Sequence, residues 1–449
     1  MKMPPSPPHI EDVIAEVLKD GASLSRIMDL TAATVDAKGR YLHWDDMRSR
    51  QPPEGLTRQQ WWLATDWARR AVSRELPLKS VAGEAFRFSN VDPVQEAVHR
   101  IDQQASGRII ADELVTNLRS STRYLISSLV EEAITSSQLE GASTTRRVAK
   151  EMLETGRRPR DLSEQMILSN YRGLLVAQGM SQAPLTPESV LNLHRRLTED
   201  TMEPEKSGRL ETDDDDRIAV LWHDGTVLHR PPPAKELPGR LDEMCRFANG
   251  ATPDGFLHPV VRAIIVHFWL AYDHPFEDGN GRTARALFYW SMLHHDYWLA
   301  QYLSVSSILR KAPAQYARSF LLPESDNSDV TYFVIYQLGV IERAVNSLHE
   351  YLGRKAAENR EVDQMLRGSS LLNQRQMLVV RDALREPGEP FTYVAQARRN
   401  GVTHQTSRTD LLQLEKLGLL TKTRLGNKHV FRAPKDLADR LRNLGEQYR

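Results

Sequence analysis

The chain has 449 residues, 40% hydrophobic and 26% charged, with 59 basic side chains balancing 59 acidic ones. That length exceeds one ordinary core and predicts two to four domains. Zero net charge excludes a molecule that meets polyanions with its whole surface, so any such face is local. A single cysteine, Cys245, excludes an internal disulfide and a cysteine zinc cage, and suits a reducing, cytoplasmic location.

The start, MKMPPSPPHIEDVI, has no apolar signal core. The longest apolar run, Val260 to Tyr272, contains Arg262 and His267 and is too short to span a bilayer, so no membrane partner is expected. Residues 1–92 read as an N-terminal accessory domain, with helical stretches at Ile10–Leu18 and Arg58–Arg74 and no evident chemistry. From Pro93 the 3.6-residue period prevails, and the fold class is expected to be mainly α. In STRYLISSLVEEAITSSQLEG, Leu125, Ile126, Leu129, Val130, Ala133 and Ile134 form one stripe, and Gly141 is a C-terminal stop. TPESVLNLHRRL opens with Thr186 as cap, Pro187 at the first helical position and Glu188 in the first turn. RIAVLWHDGTVLHRPPP breaks the helical pattern, with two β-prone runs around Asp224-Gly225 that predict a hairpin. Helices return at Lys235–Asn249, His258–Tyr272 and 284–297, and continue to about Asn359. The core is therefore expected over 93–362, with a further domain over 363–449.

HPFEDGNGRTAR, at 274–285, sets dense polar chemistry between two apolar helices. Gly279, Asn280 and Gly281 can turn successive amide hydrogens into one concavity, an anion nest. A helix beginning within the motif adds its unpaired N–H groups and dipole at the same spot. Arg282 and Arg285, three apart, share a face and can hold different phosphates of one chain. Asp278 is placed to coordinate a magnesium ion bridging phosphate oxygens. His274, at the end of the preceding helix, is the natural proton acceptor. Phe276 anchors the loop in the core. A histidine before proline is ordinarily a helix-end residue and Gly-Asn-Gly ordinarily a turn. A plain connection between helices needs only a glycine, so the whole set points to a nucleoside triphosphate cradle with its own base.

The stretch resembles the signature of the Fic family, His-x-Phe-x-(Asp/Glu)-Gly-Asn-Gly-Arg-x-x-Arg, at every fixed position: His274, Phe276, Asp278, Gly279, Asn280, Gly281, Arg282 and Arg285. The resemblance implies a Fic-type helical core and transfer of AMP from ATP to a Ser, Thr or Tyr hydroxyl of a target protein or of the chain itself. It makes His274 the base and Asp278 the Mg²⁺ ligand. The Gly-Asn-Gly backbone and Arg282 would hold the α- and β-phosphates, and Arg285 the γ-phosphate. SSQLEG then resembles the family's inhibitory motif, with Ser136 four residues before Glu140 on a helix at about 121–141. The resemblance implies that Glu140 pairs with Arg285, denying its guanidinium to the phosphate and repelling the incoming anion. The hairpin 217–229 resembles the family's flap, which aligns a target segment as an added strand. SGRLE departs from the family's Gly-x-(Phe/Tyr)-Arg pattern, leaving the arginine of that pattern absent. Asp213–Asp216 reads as a solvated loop, and His294-His295, without ligand-spaced partners, as helix surface or core.

Residues 373–433 read as helix, helix, helix, hairpin: NQRQMLVVRDAL, YVAQARRN ended by Gly401, THQTSRTDLLQLEKLG from Thr403 to Gly418, and two β-prone arms around Gly426-Asn427. This resembles a winged helix-turn-helix. Over 391–449, 12 Lys/Arg stand against 5 Asp/Glu, a local charge of +7. DNA and a second copy of the chain are therefore partners to test beside ATP and the target protein. Two rival functions stay open: a DNA-binding regulator whose core senses nucleotide, and a Fic enzyme that removes AMP, with Glu140 orienting a water.

Overall fold

A computed structural model of the chain describes every residue except 1–2, 20, 31–32, 107–117, 213–216, 218, 222–224, 368–371, 386–389, 426–427 and 448–449. The acidic run Asp213–Asp216, Asp224 and the Gly426-Asn427 pair lie outside the described residues. The chain divides into two compact units, Met1–Leu348 and His349–Arg449.

The first unit begins with α1 (Ile10–Val17), α2 (Gly21–Leu30), α3 (Trp44–Met47) and α4 (Arg58–Val72), followed by the antiparallel hairpin of β1 (Ser73–Lys79) and β2 (Ala85–Ser89). Next come α5 (Asp92–Ile101), α6 (Leu118–Leu139), α7 (Arg146–Thr155), α8 (Leu162–Gly179) and α9 (Pro187–Leu197). A short hairpin of β3 (Val220–Leu221) and β4 (Val227–His229) leads to α10 (Leu237–Ala248), α11 (Pro259–Asp273), α12 (Asn280–His294), α13 (Val305–Leu309) and α14 (Pro313–Ser325). In α15 (Thr331–Arg367) the two units divide.

Local signals explain the helix starts. Thr57 accepts from the Gln60 amide while the Gln60 side chain accepts from Thr57, and Thr186 and Ser189 form the same reciprocal box before α9. The two helices that flank the polar motif are enclosed on nearly every side. Every residue of α11 except Pro259 and Ala271 is buried, and α12 is buried without a break from Arg282 to Met292. The polar members of α11 are satisfied inside: Arg262 donates to the Phe247 and Thr252 carbonyls, and the His267 ring bonds the Tyr316 hydroxyl. Among the described residues no helix is long and apolar enough to cross a membrane.

The hairpin β1–β2 adds strands to a region whose sequence shows only helical stretches, and it carries Pro77 inside β1, an unusual strand residue. Backbone bonds tie β2 to the loop before α15, from Arg87 to Ser328 and from Val330 to Arg87, both 2.9 Å. The buried Arg69 guanidinium lies 3.5 Å from the Tyr41 ring centroid and donates to the Tyr332 hydroxyl and the Leu42 carbonyl. The Tyr41 hydroxyl in turn donates to Asp329. The first ninety residues thus share a compact unit with the helical core.

Helices α8 and α9 cross at Gly173, where an added Cβ would lie 2.3 Å from Leu197 Cδ2 and 2.6 Å from its Cγ. Gly173→Ala gains roughly 1 kcal/mol of helix propensity. Overpacking costs about 1–3 kcal/mol, so a net loss is expected. It would be read as a lower denaturation midpoint, and a raised one would contradict this packing.

The second unit contains α16 (Gln374–Arg385), α17 (Tyr393–Asn400), α18 (His404–Lys416), β5 (Thr421–Leu425), β6 (Lys428–Arg432) and α19 (Leu437–Gln447). Thr403 caps α18, Gly401 takes φ +63° after α17, and the strands pair from Thr421↔Arg432 to Leu425↔Lys428. Phe391 bridges to Phe431, adding a third short segment to the hairpin. These elements run in the order helix, helix, helix, hairpin, on a core that includes Val380, Leu411, Leu414, Leu419 and Phe431.

Candidate active site

The polar motif occupies the turn from α11 to α12. His274 closes α11 with its N–H on the Leu270 carbonyl, in a left-handed conformation at φ 45° and ψ 55°. Such a backbone is costly for a residue with a Cβ and persists only where the surroundings enforce it. The turn's carbonyls are met one after another. His229 of β4 bonds the Tyr272 carbonyl at 2.7 Å, and Arg217 donates from Nη2 to the Asp273 carbonyl at 2.8 Å and from Nη1 to the His274 carbonyl at 2.9 Å. The Glu211 amide donates to the Pro275 carbonyl at 3.0 Å. Helix-end carbonyls have no partner within the helix, so these donors complete the turn.

Two further side chains close the loop. Asn280 accepts from the Phe276 amide and donates to its carbonyl, a two-point staple, so this side chain is spent on the loop and only its backbone faces the nest. Phe276, fully buried, stacks on the His194 ring with centroids 3.8 Å apart. His194 Nδ1 accepts from the Gly208 amide, which leaves Nε2–H to donate to the Asp278 carbonyl at 2.8 Å. Burial first, and the Arg282 charge beside it, push His194 down to about 4, consistent with a neutral ring that keeps this tautomer.

Gly279 precedes α12 at φ +82°, with Thr198 Cγ2 only 2.7 Å from where a Cβ would sit, so glycine is required on both counts. The first amides of α12 then point out of the helix end. Arg282 is fully buried; Nη1 donates to the Leu197 carbonyl and Nη2 to Asp278 Oδ2 at 3.1 Å. Its Nε has no hydrogen-bond partner among the described residues, and burial lowers its affinity for a proton. A buried guanidinium with spare donor capacity is what an anion would satisfy. The Asp278 side chain is half exposed at the rim.

Arg285 is buried and held at several points by α6 and its end. Nε donates to Ser136 Oγ at 2.8 Å, while Nη2 donates to the Ser136 carbonyl at 3.0 Å and to Glu140 Oε1 at 2.8 Å. The Tyr316 hydroxyl also bonds it and in turn meets His267. Burial works against the Arg285 charge, yet Glu140, Tyr316 and Glu132 more than offset it and hold the guanidinium protonated. The Glu140 carboxylate also covers the nest, since a Cβ on Gly281 would lie 2.2 Å from Glu140 Oε1. One carboxylate therefore engages Arg285 and lies over the Gly281 backbone.

The His274 ring bonds the Ala271 carbonyl and lies within electrostatic reach of Glu140. Burial first, then the His229 and Arg217 charges, push it down to about 4, so it is neutral near pH 7 and can accept a proton. The motif residues from His274 to Arg285, with Ser136 and Glu140, thus meet at one end of α12. His294 and His295 lie apart from this turn, each bonding a backbone carbonyl, those of Ser181 and Ser291.

Four contributors escaped the sequence reading. His194 sat in the apolar stripe of TPESVLNLHRRL with Val190, Leu193 and Leu197, and that placement was its signal. Glu211 occupies the place of the family's absent arginine, and its carboxylate pairs with Arg217, which brings a guanidinium to the turn from farther along the loop. Tyr316 carried no signal of its own.

Residues 184–292 match the family model described as Fic/DOC family. The chain is 32% identical over 103 residues to a protein adenylyltransferase Fic from Nematostella vectensis, covering 23% of this chain and 22% of the relative. It is 28% identical over 154 residues to one from Drosophila melanogaster, covering 33% and 29%. The chain thus spans less than a third of the length of these relatives. Its fold is similar to the crystal structure of a Fic family protein from Desulfovibrio desulfuricans G20, with a TM-score of 0.50 at 19% identity over 76% of this chain and 94% of that one, a likeness of fold alone. The signature at 274–285, α11 and all but the end of α12 lie inside the stretch that matches the Fic/DOC family model.

Proposed function

We propose that the chain is a protein adenylyltransferase, moving AMP from ATP to a Ser, Thr or Tyr hydroxyl, and that Glu140 restrains it by occupying Arg285 and the nest. The observation that carries this reading is the convergence of a neutral imidazole, the first amides of α12 and two buried guanidinium groups at one helix end. The relatives matched over this region are named protein adenylyltransferases, which supports the same chemistry.

In this reading the α- and β-phosphates lie on the amides of Asn280–Arg282 and on Arg282. The γ-phosphate takes Arg285 once Glu140 has left. The target hydroxyl oxygen attacks the α-phosphorus as its proton passes to His274. The bond from that phosphorus to the bridging oxygen breaks, and pyrophosphate leaves. The residues fit a magnesium ion of the kind that binds one carboxylate and several phosphate oxygens: Asp278 offers a half-exposed carboxylate at the rim. When bound, such an ion would neutralise phosphate charge. In this reading the hairpin of β3 and β4, tied to the turn through His229, would receive a target segment as an added strand.

Labelled ATP incubated with candidate targets, and with the chain alone, tests the assignment through label incorporation. A pH profile gives a second check. kcat/KM reports the free enzyme, in which His274 sits near 4 rather than 6.5, so a neutral base persists well below pH 6.5. The acid limb of AMP transfer should fall below pH 6, and a limb centred at 6.5 would contradict the buried setting of this ring.

A second activity is favoured by the C-terminal unit. His404, Gln405, Arg408 and Thr409 are exposed along α18, the helix that enters the major groove in DNA-binding winged helices. Gel shifts with genomic fragments at two salt concentrations test it. Salt-sensitive retardation supports the reading, and none at low salt removes it.

A further inference from the structure

We infer that Arg217 is a positioning residue of the reaction: its guanidinium fixes the two backbone torsions of His274 and thereby aims the imidazole. The inference rests on the proposed transfer chemistry.

The argument starts from the peptide planes. The Asp273 carbonyl belongs to the plane on the N-terminal side of the His274 Cα, and the His274 carbonyl to the plane on its C-terminal side. Rotation about φ moves the first plane against the second, and rotation about ψ does the converse. Arg217 grips both, with Nη2 on the Asp273 oxygen at 2.8 Å and Nη1 on the His274 oxygen at 2.9 Å. A rigid fork that spans both oxygens leaves neither torsion free.

What it holds needs holding. His274 is one of few non-glycine residues in the described chain with a positive φ. Left-handed backbone costs a residue with a Cβ on the order of 1 kcal/mol or more. The fork is itself fixed: Nη1 pairs with Glu211, Nε donates to the Pro232 carbonyl at 3.1 Å, and the Arg217 side chain is 7% exposed. The Glu211 amide extends the grip to the Pro275 carbonyl, so one loop secures three consecutive carbonyls at the base. Arg217 neither replaces the base nor belongs to the Arg282 and Arg285 pair; it acts through His274.

The test uses the full chain in the Glu140→Gly form, with Arg217→Met and Arg217→Lys added separately. Arg217→Met is expected to lower kcat for AMP transfer about 100-fold, because the base is misaimed. KM for ATP should stay within about 3-fold, because the nest and its arginines are untouched. Arg217→Lys, a single ammonium that cannot span both oxygens, should recover only part of kcat. Unchanged kcat in Arg217→Met overturns the inference. So does a joint loss of kcat and ATP-induced thermal stabilisation in both variants, which would mark a general structural role. A silent Glu140→Gly parent would instead count against the proposed transfer. In that case a crystal structure of Arg217→Met decides: His274 relaxed from φ 45° upholds the positioning role, and His274 unmoved removes it.

Discussion

His274→Ala is expected to abolish AMP transfer while leaving ATP binding in place. General bases contribute roughly 10²–10⁴-fold in rate, and the two imidazoles that bond the neighbouring backbone are already engaged. His194 uses both ring nitrogens on the Gly208 amide and the Asp278 carbonyl, and His229 uses both on Glu324 and the Tyr272 carbonyl. The expected pattern is a collapse of kcat with little change in ATP affinity, since Arg282, Arg285 and the amides of α12 are untouched. Transfer within about 3-fold of the parent would remove His274 from the mechanism.

Glu140→Gly is expected to act in the opposite direction. Glu140 Oε1 bonds Arg285 at 2.8 Å and lies over Gly281, the place that the proposed reading gives to ATP. Coupling between competing ligands is commonly 1–3 kcal/mol, about 5–150-fold. AMP transfer should rise within that range. The same change has a stability signature. Removing one member of a fully buried pair costs about 3–5 kcal/mol. The Glu140 side chain is 25% exposed, so a smaller loss of roughly 1–2 kcal/mol is expected here. Ligand-free Glu140→Gly should therefore melt below the unmodified chain, and ATP should stabilise it more. Saturating ligand at 100 times its Kd adds about 2.7 kcal/mol. Equal transfer and equal ATP response in the two proteins would remove Glu140 from regulation.

Much of the site was legible because its chemistry is contiguous. From His274 to Arg285 the proposed base, the glycines and both arginines stand in twelve residues, and a helix start inside the motif follows from its glycines. Glu140 was legible through the spacing Ser136-x-x-x-Glu140-Gly141, and the structure brings both side chains to Arg285. Arg217 and Tyr316 were not legible as contributors, since an isolated arginine or tyrosine becomes one only when folding sets it against a carbonyl or guanidinium distant in sequence. The same reasoning covers the fold. Capped helices such as Pro187–Leu197 announced their starts, whereas β1–β2 was hidden by Pro77 and is completed by a long-range bond to Ser328. α15 runs to Arg367, past the expected Asn359, because no glycine or proline stops it between those positions.

Mass spectrometry of the Glu140→Gly protein after incubation with ATP tests the account most directly. The account predicts AMP joined to a Ser, Thr or Tyr hydroxyl, of the chain or an added target, with one pyrophosphate released per adduct and none of either when His274→Ala is also present. ATP consumed to ADP without any adduct, or adducts that vanish only when the protein is added to a modified target, would contradict it.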